Sequence, residues 1–132
     1  MERIDTVFEA LQQSEFRRRI KLRKTDWIYL KTKGLAFVMM HAAEFIEQRL
    51  APAAPAKDGM QTPMRGHPVF TAQHATATCC RRCLTSWHQI PAGRPLTPEE
   101  KDYIATVLRR WLESELDRAR DPNDTVQLVM DV

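Results

Sequence analysis

The stretch Thr97-Pro98-Glu99-Glu100-Lys101-Asp102-Tyr103-Ile104 decides the fold class, because it carries several signals of a helix start in succession. Threonine is a good N-cap, proline fits the first helical position, and a glutamate three residues after the cap completes a capping box. Apolar residues then recur at three- and four-residue steps to about Arg118, which predicts a long helix with one buried face. The residues of that face are Tyr103, Ile104, Val107, Leu108, Trp111, Leu112 and Leu116.

Three further segments towards the N-terminus show helical spacing. Residues 4–11 form a short amphipathic pattern, and residues 26–50 form a long one that Gly34 breaks or bends. A third helix, capped by Thr76 or Thr78, passes through the cysteines and ends before a Pro-Ala-Gly sequence. The chain is therefore predicted to be mainly α, with about four helices.

One long Pro/Gly-rich loop interrupts these helices. It begins at Ala51-Pro52-Ala53-Ala54-Pro55, where repeated prolines end the preceding helix, and it extends to Pro68. Loops of this length in a small domain are uncommon and are usually functional or disordered, and we expect this one to pack against the cysteine helix. A short β element is predicted either at Val69-Phe70 or in the C-terminal tail.

Composition favours one globular domain over residues 1–132, with 43% hydrophobic residues available for a core. Residues 1–24 are expected to form an N-terminal helix and a basic arm, and residues 121–132 a mobile tail. No apolar run is long enough to span a membrane and the N-terminus lacks a signal pattern, so we expect a cytoplasmic protein that does not interact with membranes. The oligomeric state is left open.

All three cysteines and two of the four histidines fall within residues 74–88. An odd number of cysteines within five positions suits reduced thiols better than disulfides. Thiolates and imidazoles are the ligands that tetrahedral Zn²⁺ prefers, and Cys-x-x-Cys is a common spacing for a metal pair. We therefore predict a zinc ion, with Cys80, Cys83, His88 and His74 as its ligands. The alternatives to His74 as fourth ligand are Cys79, His67, His41 and water.

Four protein ligands would make the zinc site structural, whereas three ligands and a water would make it catalytic. The structural site is the first interpretation. The alternative is a metal-dependent enzyme, a hydrolase or a deaminase-like protein, in which zinc activates water. His41 and Glu44 are then the catalytic candidates, because they share one face of the predicted 26–50 helix and Glu44 could move protons.

Two groups of basic residues suggest anionic partners. Arg65-Gly66-His67 in the loop is predicted to bind a small anion through Arg65 and His67, since Gly66 allows close backbone approach. A third function class is a nucleic-acid-binding module. Its candidate phosphate contacts lie in the basic arm and on the cysteine helix, although a solvated helix face explains the same pattern. They are Arg17, Arg18, Arg19, Arg81 and Arg82.

Several strings of the chain together resemble a known family. They are Lys33-Gly34, His41-Ala-Ala-Glu44, Asp58-Gly-Met-Gln-Thr-Pro-Met-Arg-Gly-His-Pro-Val-Phe70 and Gln73-His-Ala-Thr-Ala-Thr-Cys-Cys-Arg-Arg-Cys-Leu84. They are similar to DUF4186, a small bacterial family of unknown function, and the likeness covers nearly the whole chain. The resemblance implies one compact domain and no particular reaction. Together with the residues, it favours a small zinc-binding protein with a composite site formed by the Cys/His segment, the Arg-Gly-His loop and the His/Glu helix face.

Overall fold

In a computed structural model, residues 2–118 of the 132-residue chain are described. Helices account for all the regular secondary structure in this part of the chain. There are seven α-helices, and a five-residue π-helical segment, Ile46–Leu50, continues the fourth. The α-helices are α1 (Glu2–Gln13), α2 (Glu15–Arg18), α3 (Lys24–Lys33), α4 (Leu35–Phe45), α5 (Pro68–Ala75), α6 (Arg81–His88) and α7 (Pro98–Arg118).

The long helix predicted from Thr97 is confirmed as α7, and so is its capping box. The Thr97 backbone N–H donates to Glu100 Oε1 at 2.9 Å, and the Glu100 N–H donates to Thr97 Oγ1 at 3.1 Å. Arg94 holds the same carboxylate through two hydrogen bonds of 2.8 and 2.7 Å. The hydrogen bond from Arg94 is the main reason why the pKa of Glu100 falls to about 2, so the cap stays ionised.

The predicted helix over 26–50 is divided at Gly34, which the sequence already marked as a break. Gly34 has φ of 92° and ψ of 151°, a backbone conformation that residues with a Cβ avoid. Its N–H still bonds the Leu30 carbonyl, so α3 ends cleanly and α4 begins in a new direction. The π-helical segment then carries the chain to Leu50, where the loop begins.

The main core lies where α3, α4, α5 and α7 meet. Both α4 and α5 pack against α7, and α3 packs against all three. Leu30, Val38, Leu50, Ile104 and Leu108 are inaccessible to solvent at its centre. Burial of such side chains contributes about 1.5–3 kcal/mol each to folding, and α7 supplies the longest stripe.

A smaller apolar cluster joins α1 to the cysteine segment. Val7 and Leu11 of α1 pack with Ala77, and the partly buried Cys83 and Trp87 complete the group. The exposed face of α1 also contacts α7, through an ion pair between Asp5 and Arg110. The N-terminal helix therefore covers one side of the cysteine segment.

Two predictions about the architecture need correction. Residues 2–118 contain seven α-helices, whereas about four were predicted, because the basic arm contains the short α2, Gly34 divides one predicted helix, and α5 was not predicted. Val69 and Phe70 lie in α5 and do not form a β element, since Pro68 occupies the first turn and His67 caps the helix. The alternative position for the β element, the C-terminal tail, lies outside the described residues.

The long loop is confirmed at residues 51–67, which contain neither helix nor strand. It packs against the start of α6, as expected, and the contacts are described below. Among the described residues, no helix combines the length and apolar character needed to cross a membrane.

Candidate metal centre

The cysteines follow a tight turn between α5 and α6. Ala77 adopts a left-handed backbone with φ of 59°, which reverses the chain after α5. The Thr76 hydroxyl bonds the Ala72 carbonyl at 2.7 Å and the Thr78 hydroxyl at 3.0 Å, and the Gln73 amide donates to the Thr78 carbonyl at 3.1 Å. The turn is buried and held by these hydrogen bonds, so it fixes the position of the following residues, although the buried Gln73 Oε1 has no partner.

Cys80 is the N-cap of α6, and its Sγ accepts a hydrogen bond from the Cys83 N–H at 3.4 Å. The prediction that Thr76 or Thr78 caps this helix was wrong, because both hydroxyls are used within the turn before it. The extended backbone of Cys80, with φ of −158°, directs its side chain back over the first turn of α6. Cys80 and Cys83 therefore face each other.

Cys79 completes a group of three thiols. Its Sγ lies 3.7 Å from the Sγ of Cys83, and all three sulfurs lie within 4.8 Å of one another. In residues 2–118, no other group of three or more His, Cys, Asp or Glu side chains converges in this way. The three free cysteines are referred to below as the thiol triad.

The three thiols differ in acidity because their surroundings differ. A hydrogen bond from the Cys83 thiol, supported by the nearby Arg17 guanidinium, lowers the pKa of Cys79. The same hydrogen bond and burial raise the pKa of Cys83 well above its usual range, and burial raises that of Cys80. Of the three thiols, that of Cys79 is therefore the most acidic.

The loop fixes the first turn of α6 from outside. Asp58 accepts the backbone N–H of Arg81 at 2.9 Å and that of Arg82 at 3.1 Å, and so satisfies two donors that a helix start leaves free. Thr62 Oγ1 donates to the Cys79 carbonyl at 2.8 Å. These contacts explain why the loop is ordered against the triad.

Arg17 of α2 approaches the triad from the opposite side. One guanidinium nitrogen lies 3.5 Å from Cys83 Sγ, and the other donates to the His74 carbonyl. The guanidinium also lies over the Trp87 ring, 5.8 Å from its centroid. A cation in this position compensates negative charge that develops on the sulfurs.

The triad opens onto a surface pocket of about 360 Å³. Its lining includes two guanidinium groups and two aromatic rings, and none of its described residues is a carboxylate. The lining consists of Phe16, Arg17, Gly59, His74, Cys79, Cys80, Arg82, Cys83, Ser86 and Trp87. We call this cavity the triad pocket.

His88, one of the predicted zinc ligands, is not brought to the triad. The ring is inaccessible to solvent, with Nδ1 2.8 Å from the Tyr103 hydroxyl and Nε2 2.8 Å from the Thr76 carbonyl. A carbonyl only accepts, so Nε2 carries the proton and Nδ1 accepts from Tyr103. Both nitrogens are therefore used to join α6, α7 and the turn.

His74 lines the triad pocket but lies outside the group of converging ligands. Its Nε2 is 3.1 Å from the Thr62 carbonyl and 3.2 Å from that of Pro63. In this position the ring donates to the loop and does not face the sulfurs. Cys79, which the sequence offered only as an alternative, occupies the place expected for a histidine.

The histidines that were predicted to form the other part of the composite site lie at the end of α5 opposite the triad. His41 and His67 have ring centroids 5.3 Å apart, in an aromatic group that includes Phe45 and Phe70. His67 caps the start of α5, whereas the triad follows its end, and an eight-residue helix extends about 12 Å. The composite site that the sequence suggested is therefore divided into two separate clusters.

The His67 imidazole is held neutral in its cluster. Its Nδ1 accepts the Val69 N–H at 3.1 Å, and its buried Nε2 has no hydrogen-bond partner. Desolvation and the neighbouring His41 lower its pKa to about 4. Arg65 and Glu44 are exposed and make no described polar contact with either histidine, and anion binding by Arg65 and proton transfer by Glu44 stay predictions.

The five arginines predicted to contact nucleic acid are also separated. Arg81 is only 1% exposed, and its guanidinium donates to four backbone carbonyls, those of Leu50, Pro52, Pro91 and Arg94. Arg17 faces the triad. Arg18, Arg19 and Arg82 remain at the surface, and Arg19 pairs with Glu15 at 2.7 Å.

Sequence reasoning gave Asp58 no role and interpreted Arg81 wrongly. A weak signal for Asp58 existed, since aspartate is a preferred partner for free N–H groups at helix starts, but nothing local linked it to a helix 23 residues later. No local signal marks an arginine whose side chain is buried and donates to carbonyls from one helix end and two loops. These contacts arise only when the chain is folded.

Comparison with known proteins gives a family without an assigned activity. The sequence model of the family described as "Domain of unknown function (DUF4186)" matches residues 5–113. The match includes the thiol triad, the loop and most of α7. No solved structure matches the chain.

Proposed function

The chain belongs to the DUF4186 family, whose description states no activity, and from the geometry we propose that it is a metal-binding protein holding one Zn²⁺ through Cys79, Cys80 and Cys83. The sulfur spacing carries this proposal. A tetrahedral zinc with Zn–S bonds of about 2.3 Å separates its sulfurs by about 3.8 Å. Cys79 and Cys83 have that separation at 3.7 Å, and since all three sulfurs lie within 4.8 Å of one another, the remaining separations require an inward shift of at most about 1 Å.

The surroundings of the triad also suit a bound ion. Three thiolates with one Zn²⁺ carry a net charge of −1, and the Arg17 guanidinium next to Cys83 balances it. The thiols must lose their protons on binding, so affinity should rise with pH. The buried turn and the Asp58 cap hold two of the three ligands on rigid backbone, which reduces the ordering that binding requires.

The fourth ligand distinguishes a closed structural site from an open one. All three cysteines of the 132-residue sequence already belong to the triad, so these residues supply no fourth thiolate. His74 lies outside the group of converging ligand atoms, so its ring would have to move towards the sulfurs to replace a fourth thiolate. We therefore propose a site with three protein ligands and an accessible fourth position at the triad pocket.

An accessible position also makes a metal-dependent enzyme the second candidate. In this interpretation zinc activates a water in the pocket for hydrolysis or deamination. General acid–base chemistry requires a proton acceptor in reach, and the described lining of the pocket contains no carboxylate. Glu44, the predicted proton shuttle, is on α4, outside this lining. The binding-protein proposal therefore agrees better with the pocket.

Metal content of protein prepared with and without added zinc, under reducing conditions, tests the proposal. We expect one zinc per chain in the wild type, and less than a tenth of that in Cys79→Ser and Cys80→Ser. His41→Asn, which changes an imidazole in the other cluster, should keep one zinc and serves as the control. Far-UV circular dichroism of the metal-free forms shows whether each variant is folded.

X-ray absorption of the zinc form then counts the ligands. Three sulfur neighbours are expected, and fewer than three would contradict the assignment of the triad. Full zinc retention in a folded Cys79→Ser variant would also contradict it, because the site would then be the Cys80, Cys83 and histidine set that the sequence suggested. His74→Asn is expected to retain zinc.

A further inference from the structure

The triad pocket has features of a small-molecule site beyond the three sulfurs. Its volume of about 360 Å³ lies at the lower end of the range for ligand pockets, about 300–1,000 Å³. The Trp87 and Phe16 side chains form an apolar wall, and Phe16 is 56% exposed although it lines the cavity. A ligand of a few heavy atoms fits such a space.

Arg82 provides a charged group for this ligand. Its side chain is exposed and has one weak described contact, from a guanidinium nitrogen to the Asp58 carbonyl at 3.4 Å. The same nitrogen would lie 2.5 Å from a Cβ added to Gly59, so the guanidinium lies directly against the loop backbone at the pocket edge. Arg82 also interacts electrostatically with the Asp58 carboxylate, but a guanidinium has five N–H donors, and those left over can bind a second carboxylate.

The charge of the site and the softness of its sulfur ligands indicate which donor atom the fourth ligand supplies to zinc. Zinc with three thiolates carries −1, a thiolate as fourth ligand brings the charge to −2, and a carboxylate on the same ligand brings it to −3, of which Arg17 and Arg82 compensate two charges. A site built from thiolates favours a further soft ligand, so sulfur is preferred to oxygen. The fourth ligand is therefore an anion with a sulfur donor.

We propose that the triad pocket binds a small thiol that carries a carboxylate, with its sulfur completing the zinc coordination and its carboxylate paired with Arg82. This inference rests on the proposed zinc site. On binding, the water at the fourth position leaves, a Zn–S bond forms, and the thiol proton passes to solvent. No electrons are transferred. The short carbon chain of the ligand packs against Trp87.

Calorimetry and zinc X-ray absorption on the zinc-loaded full chain, prepared without thiol reductants, test the proposal with matched probes. 3-Mercaptopropionate carries both groups, 3-mercapto-1-propanol lacks the carboxylate, and propionate lacks the thiol. We expect 3-mercaptopropionate to bind about tenfold more tightly than the alcohol, as one charge-assisted hydrogen bond provides. The sulfur count at zinc should rise from three to four, and propionate should leave it unchanged.

The variants Arg82→Gln and Arg109→Gln separate the guanidinium contact from overall charge. Arg109 is an exposed residue on α7 that pairs only weakly with Glu113, at 3.9 Å, and it does not line the pocket. In Arg109→Gln the tenfold preference for the carboxylate probe should persist. In Arg82→Gln the ratio of the affinities for the carboxylate probe and the alcohol probe should fall to about one, while the affinity for the alcohol probe stays the same.

The outcomes distinguish this inference from the zinc site itself. Protein that never takes up zinc contradicts the proposed function on which the inference rests. If the sulfur count at zinc stays at three with both thiols, or if the fourth neighbour is an imidazole, the thiol ligand is contradicted. The zinc site itself is not contradicted by either result. Equal affinity for the two thiols in the wild type overturns the role of Arg82.

Discussion

Arg81 and Arg82 are adjacent arginines at the start of α6 with opposite environments. The Arg81 guanidinium joins carbonyls from the end of the π-helical segment, the loop and the segment before α7, at 2.7–3.1 Å. Burial lowers the pKa of Arg81, although its ordinary value is so high that the side chain stays charged. Arg82 points to solvent at the edge of the triad pocket. Because both residues are arginines at adjacent positions, the sequence alone does not show which of the two is buried.

Replacing Arg81 tests how much this junction contributes to stability. Arg81→Met should lower the free energy of unfolding by about 3 kcal/mol or more, since four carbonyls lose their donor in a buried site. Arg82→Met, the same change one residue later, should stay within about 0.5 kcal/mol. Urea unfolding of the metal-free proteins measures both, and similar losses for the two variants would contradict the structural role given to Arg81.

At the scale of elements, the helix ends are defined by side chains more than by propensity. The Thr97–Glu100 capping box starts α7, the Cys80 thiol and Asp58 start α6, and His67 starts α5. The first of these signals is contained in four consecutive residues and was predicted. The cap from Asp58 comes from a distant loop, and cysteine and histidine are uncommon caps, so those helix starts were not predicted.

Loss of the Thr97 cap should weaken α7, and with it the core. Thr97→Ala is expected to lower the free energy of unfolding by about 1 kcal/mol, because one orphan N–H at the helix start loses its acceptor. Thr106→Ala, in the middle of α7, should be neutral or slightly stabilising, as Thr106 is exposed and alanine favours helix. Chemical denaturation followed by circular dichroism measures the difference, and equal effects would argue against the capping box.

At the scale of the whole molecule, helices distant in sequence hold the thiol triad. α1 covers Cys83 and Trp87 through Val7 and Leu11, α2 supplies Arg17, and the turn after α5 supplies Cys79. His88 joins this assembly to α7 through Tyr103. The site and the fold therefore depend on the same contacts, and metal affinity should respond to packing far from the sulfurs.

Leu11→Ala tests this dependence. Leu11 is 3% exposed, and removing its side chain should lower the free energy of unfolding by about 2–3 kcal/mol through lost burial and a cavity. Zinc affinity, measured by competition with a chromophoric chelator, should fall together with stability. Gln12→Ala changes the exposed neighbour on α1 and should alter neither quantity by a comparable amount. Unchanged zinc affinity in a destabilised Leu11→Ala protein would show that the triad is organised independently of α1.

The sequence by itself determined the helical class, the start of α7 with its cap, the break at Gly34 and the loop at 51–67, because each depends on residues close together in the chain. It also located the metal-binding potential in the segment with all the cysteines. Helical periodicity and capping are local properties, so a single sequence expresses them directly.

Only the tertiary structure decided which side chains share a site. It brings Cys79 to Cys83 through the turn at Ala77, whereas both ring nitrogens of His88 are hydrogen-bonded elsewhere and His74 lies outside the converging group. It separated His41 and His67 from the triad along α5 and placed Arg81 inside the protein. The physical reason is that convergence, burial and hydrogen-bond partnership arise between residues far apart in the chain, and no local pattern encodes them.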